Sequence, residues 1–181
     1  LNINNHGIFT YNFRLRSLTK YVAQLSMESN GKSVNFESEE SPFATTALIW
    51  GGYGIDSQHS TFQWLMQGKT DTSCDFIGIN DGKYDSIDSQ EVLLSQVIAM
   101  TYGESNKDEP FKSVRGNNPC SIIQLNACEL KNLGFLLALY EHRTFIEALI
   151  VGVDPFDQWG VQLGKKLSVN SKRNKEFLQG Q

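Results

Sequence analysis

Three groups of side chains have the types and spacing that proton transfer on a small polar substrate needs. The first is Glu28, with Gln24 and Lys20 before it at i, i+4 and i+8 on the polar stripe of a helix expected from Arg14 to a stop at Gly31. Glu28 falls in the last turn, where the helix dipole disfavours an anion, so its carboxylate is a candidate proton acceptor. The second is His59, in the first turn of a helix expected from about Ser57 to Gln67. The positive end of the dipole there favours the neutral imidazole, which can take or give a proton. The third is the stretch Val151–Lys165. Asp154 can cap a helix, Pro155 suits its first position, and Asp157 stands three residues after the cap, so a helix is expected from near Pro155 to about Leu167. On it Gln158, Gln162 and Lys165 share one face, beside an apolar stripe of Phe156, Trp159, Leu163 and Leu167. On spacing alone these helix faces also fit ordinary solvated surface, and a lone His59 fits a structural or merely exposed imidazole.

The elements that must position these groups follow from periodicity. Residues 1–13 are polar and rich in Asn, and are expected to be an extended lead-in. Leu18, Tyr21, Val22 and Leu25 give the first helix its apolar stripe. Asn35 to Pro42 is an acidic, Ser-rich surface loop. Ala47-Leu48-Ile49-Trp50 is a short buried strand running into Gly51-Gly52-Tyr53-Gly54 and the helix that carries His59. Strand, glycine-rich turn and helix form an arrangement in which backbone amides receive an anion. Ser57 stands where the third glycine of a dinucleotide fingerprint would be, so no nucleotide fold follows. Cys74 to Ile79 is a second strand, followed by a turn at Asn80-Asp81-Gly82. A third helix starts at a capping box of Asp88 and Glu91, turns Leu93, Val97 and Met100 inward, and ends at Gly103. After a turn at Gly116 to Pro119, Cys120 to Leu125 is a third strand. Asn126 and Glu129 then start a helix from Ala127 to about Val151 that is apolar around most of its circumference, and it is expected to be the buried central helix. Short apolar strands alternating with helices predict an α/β layered domain with a mostly parallel sheet and its site at the carboxyl ends of the strands. His59 lies on that edge.

Bulk composition narrows the class. With 181 residues, 40% apolar and 20% charged, the chain fits one globular domain of ordinary size. The division expected is a lead-in over 1–13, a domain over 14–167 and a tail over 168–181, where Lys172, Arg173 and Lys175 are a frayed end rather than a patch. A net charge of −4 with scattered cations gives no footprint for nucleic acid. Cys74, Cys120 and Cys128 are odd in number and lack C-x-x-C spacing, which argues against a disulfide framework or a cysteine zinc site and fits a reduced, cytoplasmic setting. The longest apolar run, Leu133 to Tyr140, is too short for a membrane span, and no signal peptide is visible. The first residue is Leu1, which hints at a piece of a longer protein.

Three segments together resemble the glucose-6-phosphate isomerase (phosphoglucose isomerase) family. They are Met27-Glu28-Ser29-Asn30-Gly31-Lys32; Trp50-Gly51-Gly52-Tyr53-Gly54 with Gln58-His59-Ser60 and Gln63; and Phe156-Asp157-Gln158-Trp159-Gly160-Val161 with Leu163-Gly164-Lys165. Gly116-Asn117 with Pro119, and Tyr140-Glu141-His142, also look like family positions. The resemblance runs from about residue 11 to about residue 170. It implies a three-layer sugar-isomerase-type α/β domain, the C-terminal part of a longer enzyme that interconverts glucose 6-phosphate and fructose 6-phosphate through ring opening and a cis-enediol, with no metal and no cofactor. It also implies a homodimer in which His59 reaches the neighbouring subunit's site. By resemblance Glu28 is the base that moves a proton between C1 and C2, His59 and Lys165 assist ring opening, and Gln24 and Gln158 contact substrate. The family's Ser/Thr-rich phosphate-binding loop and its Gly-Gly-Arg segment lie upstream in the family and do not occur here, so the chain alone is expected to be incomplete. Ile55, Asp56 and Ser57 replace the Thr-Asn-Gly common in the family, Asn118 replaces Arg, and Met66 replaces His. The alternative on the same scaffold is a non-catalytic sugar-phosphate-binding or dimerisation module.

Overall fold

The computed structural model describes residues 3–80 and 87–169. Four strands, β1 (Asn5–Thr10), β2 (Leu48–Tyr53), β3 (Ser73–Ile79) and β4 (Cys120–Leu125), form one sheet in the order β2-β1-β3-β4. Every pairing in it is parallel. Around it lie α1 (Leu18–Asn30), α2 (Gly54–Ser57), α3 (Phe62–Gln67), α4 (Ile87–Tyr102), α5 (Leu130–Val151) and α6 (Trp159–Val169). The fold is therefore three-layered α/β with a parallel sheet flanked by helices.

The two-residue period of the strands sorts the core into two layers. Ile8 and Ile77 pack with Leu18 and Val22 of α1 and with Leu136 and Tyr140 of α5. Phe9, Tyr11 and Phe76 pack on the other side with Phe62 and Leu65 of α3 and with Leu93 and Met100 of α4. Gly51 lets β2 lie against β1: its φ is +122°, and a Cβ there would stand 2.3 Å from the Ile8 carbonyl oxygen.

The expected lead-in over residues 1–13 needs correction. It contains β1, an inner strand with β2 on one side and β3 on the other. Its polar residue His6 is buried because Asp75 and Ser73 on β3 bond both ring nitrogens, Nε2 to Asp75 Oδ2 at 3.0 Å and Nδ1 to Ser73 Oγ at 2.8 Å. Asp75 also accepts from Tyr140 Oη and Arg143 of α5, each at 3.1 Å. Burial works against the Asp75 anion, but the His6 bond and charge, the Arg143 charge and the Tyr140 bond outweigh it and hold the carboxyl below its usual range.

The helix expected over Ser57–Gln67 is broken in two. Ser57 ends α2, and its carbonyl oxygen accepts from the Ser60 and Thr61 amides at 3.1 and 2.9 Å and from both their hydroxyls at 3.3 Å. Hydroxyl groups competing for backbone acceptors favour a turn over a continued helix. The third helix ends at Gly103 as read. The turn residues Asp81 and Gly82, the Asp88 side chain of the predicted capping box and residues 170–181 of the tail lie outside the described residues.

The buried central helix is also corrected. It begins at Leu130, after Glu129, which makes no side-chain capping bond, and it is an outer helix. It buries Leu136, Tyr140, Thr144 and Ala148, a single i, i+4 row, while Phe135, Ile146, Leu149 and Ile150 are more than half exposed. All-round apolarity implies a second neighbour for α5, and none of the described residues covers that outward face. No described helix is long and apolar enough to cross a membrane.

Candidate functional site

The C-terminal half of α1 is fastened by polar bonds as well as by the packing of Leu25 and Met27 on the core. Ser26 Oγ lies 3.1 Å from Thr144 Oγ1, Asn30 Nδ2 donates to the Thr144 carbonyl at 3.0 Å, and Thr45 Oγ1 donates to the Asn30 carbonyl at 2.6 Å. Ser26 and Asn30 are both buried on that face. This leaves Gln24 and Glu28 on another face, where Gln24 Nε2 donates to Glu28 Oε2 at 3.1 Å. Glu28 is half-buried and Gln24 is exposed.

Glu28 forms part of the wall of a cavity of about 420 Å³ between the end of α1 and the start of α6, whose far wall includes Asp157, Gln158 and Trp159. Carboxylate and amide groups thus meet across a space large enough for a small polar ligand. Lys32 bridges the two walls, donating to the Ser29 and Asp157 carbonyls, each at 2.8 Å, and pairing its charge with Asp157 Oδ1 at 3.0 Å. Sequence reasoning gave Lys32 no role. Its partner is 125 residues away, so no local pattern could have shown it.

That bridge also explains a correction to α6. The predicted capping bond forms, with Asp154 Oδ1 accepting from the Phe156 amide at 2.9 Å, but it closes only a turn at Pro155 and Phe156. Lys32 holds both the carbonyl and the carboxylate of Asp157, and the helix starts only at Trp159. Lys165 lies six residues beyond Trp159, so about 9 Å further along the axis at 1.5 Å per residue. It is exposed, as are all residues from Gln158 to Ser168.

His59 stands elsewhere. It is exposed in the turn between α2 and α3, not in the first turn of a helix, so the dipole argument made for it has no footing. Its turn follows β2 and α2, and Ser60 and Thr61 beside it line a hollow with Asn5, Leu48 and Trp50, back along β1 and β2. Glu28 lies at the amino ends of the strands on the other face of the sheet: α1 runs back along the sheet after β1, packed with α5, and its last residue Asn30 meets Thr45 just before β2, whereas Phe62 and Leu65 seat α3 with α4. The sheet therefore stands between the helix that carries Glu28 and the segment that carries His59, and His59 is not part of the wall of the Glu28 cavity. The expected single site at the carboxyl ends is thus divided. Gln24, Glu28 and Gln158 come together at the amino ends, and His59 does not join them. Among the described residues no group of three or more His, Cys, Asp and Glu could hold a metal ion.

The model of the phosphoglucose isomerase family matches residues 1–178 of this sequence. The chain belongs to the phosphoglucose isomerase family. A glucose-6-phosphate isomerase of Hydrogenovibrio crunogenus is 37% identical over 191 aligned residues, covering 93% of this chain and 35% of the relative. One of Helicobacter pylori is 36% identical, covering 91% of this chain and 34% of the relative. The crystal structure of a glucose-6-phosphate isomerase from Chlamydia trachomatis superposes with a TM-score of 0.87 at 34% identity, covering 96% of this chain and 35% of that one. The chain therefore spans about a third of the length of these phosphoglucose isomerase relatives.

Proposed function

We propose that this chain is the C-terminal part of a cytoplasmic glucose-6-phosphate isomerase that interconverts glucose 6-phosphate and fructose 6-phosphate as a homodimer. The observation that carries the reading is the half-buried Glu28 carboxylate, bonded by Gln24 and facing Gln158 across one cavity. Aldose–ketose isomerisation needs one base that reaches both C1 and C2, removing a proton from one carbon and returning it to the other through a cis-enediol. Glu28 takes that role, with Gln24 and Gln158 as amides that hold sugar hydroxyls. Ring opening needs a proton donor and a proton acceptor near the ring oxygen and the C1 hydroxyl, which is work for His59 and Lys165. Because His59 belongs to the segment on the other face of its own sheet from Glu28, the imidazole that serves a given Glu28 comes from a neighbouring copy.

Substrate phosphate must be held by residues that this chain does not supply. A coupled assay with fructose 6-phosphate tests the reading. The chain alone is expected to show little or no turnover, and the chain joined to the part of its relatives that it does not span is expected to be active. An inactive joined protein refutes the enzymatic reading, and robust turnover by the chain alone refutes the division of the site.

A further inference from the structure

We propose that Lys32 and Asp157 form a positioning clamp, which fixes the helix end that carries Glu28 against the segment that carries Gln158 and Lys165. The proposal rests on the isomerase reading of the same cavity. An ammonium has three N–H donors. Lys32 directs them at the Ser29 and Asp157 carbonyls, each at 2.8 Å, and the Glu28 carbonyl at 3.3 Å, with Asp157 Oδ1 as an ion-pair partner at 3.0 Å. The Glu28 and Ser29 carbonyls belong to the last turn of α1, where helix geometry leaves acceptors without intrahelical donors and a cation is favoured. One side chain therefore closes the end of α1 and grips the start of α6. The clamp is largely shielded, with the Lys32 side chain 16% exposed, so solvent screens the pair less than an open surface pair.

The clamp matters because little else sets the direction of α6. Val153 is fully buried and anchors the loop upstream, but every residue from Gln158 to Ser168 is exposed. Between that anchor and the helix, Lys32 is the side chain of α1's end that holds Asp157 by both backbone and carboxylate. Lys32 touches Glu28 at its backbone carbonyl, so it acts through the helix end and not on the reacting carbons. A shift of about 1 Å between a base and the groups that orient its substrate costs on the order of 100-fold in rate, and that is the scale at which this clamp works.

The test compares the joined protein with its Lys32→Met, Lys32→Arg and Asp157→Asn variants, measuring kcat and KM for fructose 6-phosphate together with hydrogen–deuterium exchange. In Lys32→Met, amides of 157–165 are expected to exchange roughly 10-fold faster while those of β1 and β3 keep their rates. Its kcat is expected to fall roughly 10- to 100-fold. Asp157→Asn is expected to do the same more weakly, and Lys32→Arg, which keeps charge and donors, to recover most of both losses. Unchanged kcat and unchanged exchange in Lys32→Met overturn the clamp. So does an equal acceleration across 157–165, β1 and β3 that Lys32→Arg does not reverse, because that is general destabilisation. If the unsubstituted joined protein does not turn over fructose 6-phosphate, the isomerase reading fails and with it a catalytic purpose for the clamp. Exchange at 157–165 then decides separately whether Lys32 orders α6.

Discussion

Glu28→Gln is expected to lower the kcat of the joined isomerase by roughly 10²- to 10⁴-fold, the usual contribution of a positioned general base, while KM for fructose 6-phosphate changes little. The substitution preserves size, and an amide at position 28 still offers an oxygen to Gln24 Nε2, so the wall of the cavity stays in place. What is lost is the ability to accept and return a proton. A loss confined to kcat separates a base from a group that only binds substrate, whose removal would raise KM instead. Steady-state kinetics of the two proteins side by side check this. Full activity in Glu28→Gln would remove the residue from the mechanism.

The largest effect on stability is expected at Asp75. Its carboxylate is 5% exposed and accepts from His6, Tyr140 and Arg143, which tie β1, β3 and α5 together. Asp75→Ala leaves three donors in a buried site without their acceptor, and breaking such a buried charged cluster costs about 3–5 kcal/mol. That is a large fraction of the total stability of a domain of this size. The pH dependence has a definite sign. The Asp75 carboxyl is held below its usual range in the folded state, so the unfolded chain binds its proton more readily. The stability it contributes is fully present above the unfolded value of about 4 and drains away as pH falls through the lower, folded value. Urea unfolding of parent and Asp75→Ala at pH 7 and pH 3 should show a wide gap at pH 7 that narrows at pH 3. An equal gap at both pH values would mean that the carboxylate charge contributes nothing.

How much of this was legible depended on where each residue's partner lay. β2, β3 and β4 were visible as short apolar runs because both faces of the sheet are covered. β1 was not, because Asn4, Asn5 and His6 read as loop until Asp75, 69 residues from His6, accounts for the buried imidazole. The break between α2 and α3 arises from the Ser60 and Thr61 hydroxyls competing for the Ser57 carbonyl, a local effect that helix periodicity overrode. α5 showed that it needs two neighbours, but its composition could not say which one lies within this chain. At the site, Gln24 and Glu28 were recognisable from i, i+4 spacing on one helix. Their meeting with Gln158 depends on Lys32 crossing to Asp157, a contact between distant segments. The separation of His59 from Glu28 follows from topology: α1 packs on one face of the sheet with α5, and α3, after the His59 turn, packs on the other with α4.

That separation is the core of the account, and mixing two inactive proteins tests it most directly. Joined chains carrying Glu28→Gln and joined chains carrying His59→Ala are co-expressed, and isomerase activity is compared with each variant alone. If His59 serves the Glu28 of a neighbouring copy, half of the random dimers are mixed and each has one intact site of two, so about a quarter of parent activity should return. If each site is built within one chain, every site in the mixture lacks one of the two groups. Activity that stays at the level of the separate variants would contradict the account.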